Sequence, residues 1–239
     1  DAHGAGAHNL RAMLELHRGN PSTAVECAKR ALHLNVDNGW ALNFAFDAAL
    51  DGPTRLSLAD FVEAEIRAQS TNGNAIDAYL GLAEEVVPYE RRLAFVKSLV
   101  AEQPDLYVLR RALLRLLRTL QRNDEAKDEA EFIVQRWPSD SEDWLALASL
   151  RDALGDVSGK VAALERAVTS APLVLSPLLA LAQHYESSGD LAAERAVLRR
   201  ALTNAPLSPI VYGYLADCDL RERKYQDAWS LLVRAVQLN

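Results

Sequence analysis

Arg111, Arg115, Arg118 and Arg122 follow one another at intervals of 4, 3 and 4 residues, the spacing that brings side chains onto one ridge of an α-helix. Four guanidinium groups in a row make an anion-binding strip, because each offers N–H donors to carboxylates in charge-assisted hydrogen bonds. Like charges at this spacing also repel, so the ridge requires compensation. An acidic peptide or protein segment lying along it would supply that. So would internal carboxylates, with Asp77, Glu84 and Glu85 upstream and Glu142 and Asp152 downstream, since charge runs commonly belong to solvated, self-neutralised faces. At the level of sequence both readings stand.

The other residue types that could carry chemistry do not assemble. The stretch Gly155-Asp156-Val157-Ser158-Gly159-Lys160 shares glycines and a lysine with a phosphate-binding loop. It is one residue too short, Val161 replaces the required hydroxyl, and it does not follow a strand; it is expected to be a turn. Gly4-Ala5-Gly6 lacks the third glycine of a dinucleotide loop, and residues 1–4 are expected to be a frayed end. No two of His3, His8, His17, His33 and His184 stand at zinc-ligand spacing with a carboxylate or cysteine alongside, so no metal site is expected. His184, beside Tyr185, could line a ligand groove, but a surface position is the expectation. Position alone brings out no Ser-His-Asp or Cys-His arrangement, and the many carboxylates serve the solubility of helical surfaces. No catalytic residues and no cofactor are assigned, and the chain is expected not to be an enzyme.

Composition narrows the partners. The 239 residues carry 26 basic and 33 acidic side chains, a net charge of −7. Such a chain has no global attraction for nucleic acid or an anionic membrane. Its apolar share of 49% is that of a folded protein, and no apolar run approaches the roughly 18 residues of a membrane span. No secretory leader is visible, although a chain beginning at Asp1 and stopping at Asn239 is expected to be a fragment. Basic residues are mainly arginine, with lysine only at Lys29, Lys97, Lys127, Lys160 and Lys224, a usage that points to a GC-rich bacterial source. Both a cytoplasmic and a bacterial periplasmic setting remain open.

The elements that must position these residues emerge from a repeat. Pro104, Pro138, Pro172 and Pro206 are separated by steps of 34 residues. Residues 141–174 supply Trp144, Leu147, Ala148, Gly155-Asp156, Ala167 and Pro172; residues 175–208 supply Leu178, Leu181, Ala182, Tyr185, Gly189-Asp190, Ala201 and Pro206. Residues 209–239 supply Tyr212, Leu215, Ala216, Tyr225, Ala228 and Ala235, and residues 107–140 supply Leu113, Leu114, Leu117, Ala126, Ala130 and Pro138. Residues 73–106 contribute Tyr79, Tyr89 and Pro104, and residues 5–38 contribute Gly19-Asn20, Ala24, Ala28 and Ala31. This pattern resembles the tetratricopeptide repeat. The resemblance implies an all-α, right-handed superhelical solenoid of helix–turn–helix units, here one array of seven repeats over residues 5–239 with 39–72 degenerate. Cys27 and Cys218 then lie in the first and last repeats, too far apart for a disulfide.

Each unit is two helices too short to be stable alone. Small residues such as Ala148 with Ala167, or Ala182 with Ala201, let helices approach, while Trp144 and Leu181 fill the space between repeats. Gly155 and Gly189 suit turns with positive φ. Ser176-Pro177 and Ser208-Pro209 are expected to place an N-cap before a first-turn proline. Lys160 and Glu194 stand in the slot that holds Ala24, Ala126 and Ala228. In the second repeat Leu58 and Glu65 replace small residues, and Gly52-Pro53 is expected to form the turn.

The resemblance also implies that first helices line a concave groove and project ligand-binding residues. The arginine ridge would lie there. Asn9 and Asn43 stand at groove positions, but the groove lysines that some members use to clamp a C-terminal carboxylate are missing, so chaperone-tail binding is not expected. Two functions follow. One is a non-enzymatic scaffold that binds a protein or peptide in the groove, as in a bacterial secretion, pilus or exopolysaccharide-export assembly. The alternative is the recognition segment of a larger enzyme, for example a transferase, with its catalytic domain elsewhere. Finally, Trp229, Leu232, Ala235, Val236 and Leu238 form an apolar stripe on the last helix. That edge is expected to be covered by a further helix or to support self-association.

Overall fold

A computed structural model describes residues 2–69 and 73–238. It is all-α: the described residues form fourteen helices and no strand. They fall into two compact units that divide between Gln121 and Arg122. No helix among the described residues is long and apolar enough to cross a membrane.

The first unit contains α1 (Ala2–His17), α2 (Pro21–Leu34), α3 (Gly39–Ala48), α4 (Gly52–Ala68), α5 (Asn74–Leu82), α6 (Tyr89–Glu102) and α7 (Tyr107–Thr119). Helix α1 takes in residues 2–4 of the segment expected to fray, and Asp1 lies outside the described residues. Helices α3, α5 and α7 pack in succession as one row, and α2 meets α4 in a second. Between the rows lie fully buried Leu32, Leu42, Leu58, Ile66, Ile76, Tyr79, Leu99, Leu109 and Leu117. The second unit contains α8 (Asn123–Arg136), α9 (Ser141–Ala153), α10 (Val157–Ser170), α11 (Leu175–Ser188), α12 (Leu191–Asn204), α13 (Pro209–Arg221) and α14 (Tyr225–Gln237). Its consecutive hairpins α9/α10, α11/α12 and α13/α14 pack along their length. Cys27 and Cys218 are free and buried.

Close approach is made at alanine. Ala24, Ala28 and Ala31 on α2, Ala126 and Ala130 on α8, Ala167 on α10, Ala201 on α12 and Ala228 on α14 are all fully buried. Where the slot holds a longer residue, the packing adapts. Leu58 is buried in α4, and α3 lies against α2 and α5 while touching α4 sparsely. A leucine at a helix contact sets a wider axis separation than alanine. Glu65 takes His33 Nδ1 at 2.8 Å and Gln69 Nε2 at 2.7 Å. Gln69 in turn accepts from the Val36 amide at 2.9 Å and donates to the Leu32 carbonyl at 3.0 Å, so the end of α4 closes the end of α2. Lys160 pairs with Asp152 at 3.0 Å. Glu194, at 1% exposure, accepts from Arg221 Nη2 at 2.5 Å on both oxygens and from the Cys218 thiol at 3.3 Å. Burial first, and then the Glu194 carboxylate, push the Cys218 thiol up to about 11.

The turns repeat one device. At Gly19, Gly155 and Gly189, φ is 78°, 76° and 77°. The next amide reaches back to close the preceding helix: Asn20 to the Glu15 carbonyl at 2.9 Å, Asp156 to Arg151 at 2.8 Å and Asp190 to Tyr185 at 3.0 Å. This is the left-handed helix ending that glycine adopts without a Cβ penalty. Arg223 stands at the matching point with φ 60°, and the Lys224 amide reaches the Asp219 carbonyl at 2.8 Å. The following helix opens on a side-chain cap where the sequence has aspartate: Asp156 accepts from the Gly159 amide at 2.9 Å and Asp190 from Ala193 at 3.0 Å. The stretch that shares residues with a phosphate-binding loop is therefore a helix ending followed by a capped helix start.

Three local expectations are corrected. Gly52-Pro53 is not the turn but the first two residues of α4, which Asp51 caps through the Thr54 amide at 2.8 Å. Proline suits that place because its missing N–H would be unpaired there anyway. Helix α11 starts at Leu175, so Ser176 lies inside it and donates to Glu142 at 3.3 Å; Ser208 precedes Pro209 at the start of α13, but its side chain makes no cap. Trp144 is half-buried rather than packed away, because its indole N–H donates to the Pro138 carbonyl at 2.9 Å. The same loop carbonyl is taken by Arg110 Nε at Pro104 (2.9 Å) and by the Tyr212 hydroxyl at Pro206 (3.2 Å). Leu178 stands in the equivalent place and cannot donate; Asn204 serves Pro172 instead, at 2.6 Å.

On α14, Ala228 is buried while Trp229 and Val236 are 64% and 75% exposed. The apolar stripe read from the sequence is thus largely open.

Three outcomes are expected from these turns, caps and buried contacts. Replacing Arg223 by glycine relieves a left-handed side-chain conformation and should raise stability by roughly 0.5–1 kcal/mol after the added unfolded-state entropy is subtracted, read as a higher denaturation midpoint. Asp51 and Asp156 are held below the usual aspartate range chiefly by the backbone N–H groups of Thr54 and Gly159. A lowered folded-state pKa gives stability that is full above about pH 4 and drains as the pH falls through the folded value. The Asp51→Asn/Asp156→Asn protein, which keeps neutral caps, should therefore show a smaller fall in Tm on acidification below that point. The third concerns Cys218: with its pKa near 11, only about one thiol in a thousand is thiolate at about pH 8. In a Cys27→Ser background it should resist a thiol reagent in the native state and react promptly once unfolded.

Candidate functional site

Helix α7 is sharply two-faced. Leu109, Leu113, Leu116 and Leu117 are buried, whereas Arg111, Arg115 and Arg118 are exposed on the opposite side. The pattern follows from leucines at helical spacing against a core and arginines between them. Arg122 does not continue this ridge. Helix α7 ends at Thr119, Gln121 takes φ 55°, and Arg122 is the N-cap residue of α8 in the second unit, where its guanidinium pairs with Glu125. Helical spacing therefore relates Arg111, Arg115 and Arg118 only.

The three remaining arginines have different surroundings. Arg115 Nη2 pairs with Asp77 of α5 at 2.7 Å. The Arg111 guanidinium sits 5.6 Å from the Tyr107 ring centroid and reaches its hydroxyl at 3.4 Å. Arg118 is exposed near the end of the helix. Among the carboxylates expected to neutralise the ridge, Asp77 does so for Arg115. Glu84 accepts from the Tyr89 hydroxyl at 2.8 Å, Glu85 pairs with Arg55, Asp152 with Lys160, and Glu142 accepts from Ser176.

Beside the ridge, between α5, α6 and α7, opens a cavity of about 350 Å³ lined by Asp77, Glu84, Tyr89, Arg92, Arg115 and Thr119 among others. Arg92 is the residue that the sequence did not single out. It is 2% exposed; Nη1 donates to the Leu80 carbonyl at 2.6 Å, and the Tyr89 ring covers its plane at 4.1 Å. Its Nε and Nη2 are buried without a hydrogen-bond partner. The phase of α6, which turns Arg92 toward buried Leu93 and Val96 positions and Arg91 toward Asp60 and Glu63, separates two adjacent arginines.

In the second unit a cavity of about 570 Å³ lies between α9, α10 and α11, lined by Ser149, Asp152, Lys160, Gln183, His184 and Ser187 together with leucines. His184 therefore lines a cavity, where a plain surface position was expected. Asn9 and Asn43 are tied locally, Asn9 accepting from Asn38 at 3.4 Å and Asn43 donating to the Gly39 carbonyl at 2.7 Å. Among the described residues no group of three His, Cys, Asp or Glu side chains is placed to hold a metal ion.

Comparison with known proteins adds the following. Residues 175–218 match the model of the tetratricopeptide repeat. No curated protein matches the chain. Among solved structures, that of MamA is similar with a TM-score of 0.57 at 12% identity, over 71% of this chain and 95% of that one. YrrB, described as a TPR protein with an unusual peptide-binding site, is similar with a TM-score of 0.53 at 14% identity, over 76% and 92%. A tetratricopeptide repeat protein from Parabacteroides merdae ATCC 43184 is similar with a TM-score of 0.51 at 14% identity, over 99% and 94%. At such identities the likeness concerns the fold. Residues 175–218 thus match the tetratricopeptide repeat, and the chain as a whole shares the all-helical fold of these proteins.

Proposed function

We propose that the chain is a non-enzymatic protein-interaction scaffold, and that the face of the first unit carrying Arg111, Arg115 and Arg118 receives an acidic peptide or protein segment. The observation that carries this reading is the amphipathic α7. Its leucine side is committed to the core, its arginine side is exposed, and an open cavity adjoins it. An extended acidic segment would form charge-assisted hydrogen bonds with these guanidinium groups. The Arg115–Asp77 pair is half-exposed on both sides, so it contributes little to stability and yields readily to an incoming carboxylate. The peptide-binding site named for the similarly folded YrrB agrees with this use of the fold.

Selection from a peptide display library tests the reading. Enriched peptides should be acidic and should bind more weakly as salt rises. The Arg111→Glu/Arg118→Glu protein should lose at least about tenfold in affinity with its helical spectrum unchanged. Enrichment of acid-poor sequences, or an affinity indifferent to both substitutions, would show the ridge to be a solvated, internally balanced face.

A further inference from the structure

We propose that the cavity between α5, α6 and α7 is a carboxylate-binding pocket in which Arg92 is the ligand-holding residue. The inference deepens the peptide-binding reading, on whose face the cavity opens, but it rests on a separate observation. A buried guanidinium is costly unless each donor is hydrogen-bonded. Arg92 meets that condition on one nitrogen only, at the Leu80 carbonyl. The two atoms left over, Nε and Nη2, are not a random pair. Their N–H bonds run parallel along one edge of the guanidinium, forming the fork that matches the two oxygens of a carboxylate.

The surroundings favour an incoming ligand over an internal partner. Asp77 is held by Arg115 at 2.7 Å, and Glu84 is held by the Tyr89 hydroxyl at 2.8 Å. Both cavity carboxylates are thus engaged away from the fork. The Tyr89 ring over the guanidinium plane, at 4.1 Å, keeps Arg92 in place through a cation–π contact without engaging the Nε and Nη2 donors. The volume of about 350 Å³ exceeds what one carboxylate-bearing side chain needs. A carboxylate bound here would also sit beside Arg115, so the pocket continues the charge of the ridge into the interior.

The test uses the intact chain and two blocked peptides of glycine, one with a single aspartate and an amidated end, the other with a free C-terminal carboxylate. Arginine Nε–H signals are followed by NMR during titration. The Arg92 signal should move downfield and saturate with one or both peptides, and the two arms distinguish a side-chain from a terminal carboxylate. Arg92→Lys, which keeps the charge but loses the fork, should weaken binding by about tenfold or more, and Glu84→Gln, which removes a negative charge that repels an incoming carboxylate, should strengthen it. The proposal is overturned if the Arg92 signal responds to neither peptide, as it would with a fork served by water alone, or responds equally to chloride. It also fails if Glu84→Gln shifts that signal in the free protein to the position of an unbonded Nε–H, which would make Glu84 its partner. Because these probes are too short to span α7, a null result here leaves the acidic-segment test untouched, and the failure of that test leaves this one standing.

Discussion

Helices of 13 or 14 residues such as α7 and α8 are marginal in water by themselves, and their persistence here depends on how closely neighbours can approach. Ala126, Ala130, Ala167, Ala201 and Ala228 are fully buried at those approaches. A methyl group lets two backbones come near enough for the flanking leucines and valines to interlock. The loops follow from the same constraint. A tight hairpin forces a left-handed residue at Gly155 and Gly189, and the short return to the next helix leaves a proline carbonyl that Arg110, Trp144, Tyr212 or Asn204 must satisfy. The half-buried aromatics of the repeat are thus partly hydrogen-bond donors to the backbone, not only filler.

Where the close-approach slot carries a polar residue, the fold recruits a partner for it. Glu194 would be intolerable as a lone buried carboxylate; the Arg221 guanidinium and the Cys218 thiol come from α13 to meet it. Lys160 is less deeply placed and pairs with Asp152 on α9. A hydrocarbon contact has been exchanged for a directional one at each place, which specifies how α12 meets α13 and how α10 meets α9. Leu58 marks the opposite solution, in which bulk in the slot is absorbed by shifting α3 onto α2 and α5.

The arginines show the same economy of placement. On α7 they are spread over the outer face of a leucine-packed helix, and one of them is half-neutralised by Asp77. Arg92 breaks the pattern by carrying a charge inward, with two donors unmatched. A fold that pairs Glu194 so fully yet leaves two buried nitrogens of Arg92 without a partner treats the two sites differently.

The 34-residue spacing of prolines located the turns at Pro104, Pro138, Pro172 and Pro206, because local turn chemistry acts through neighbours in sequence. Gly155, Gly189 and the buried alanines were legible for that reason, and so was the two-faced character of α7. The tertiary structure alone decided what depends on a single dihedral angle or on residues distant in the chain. Helix α7 ended at Thr119, three residues before Arg122. The phase of α6 buried Arg92 and left Arg91 half-buried, two adjacent residues of identical type. Glu194 found Arg221 across 27 positions, and His184 came to face a cavity built from three helices. Helical periodicity tells which side chains share a face; which neighbour that face meets, and whether a charge on it is paired, is settled only when the helices pack.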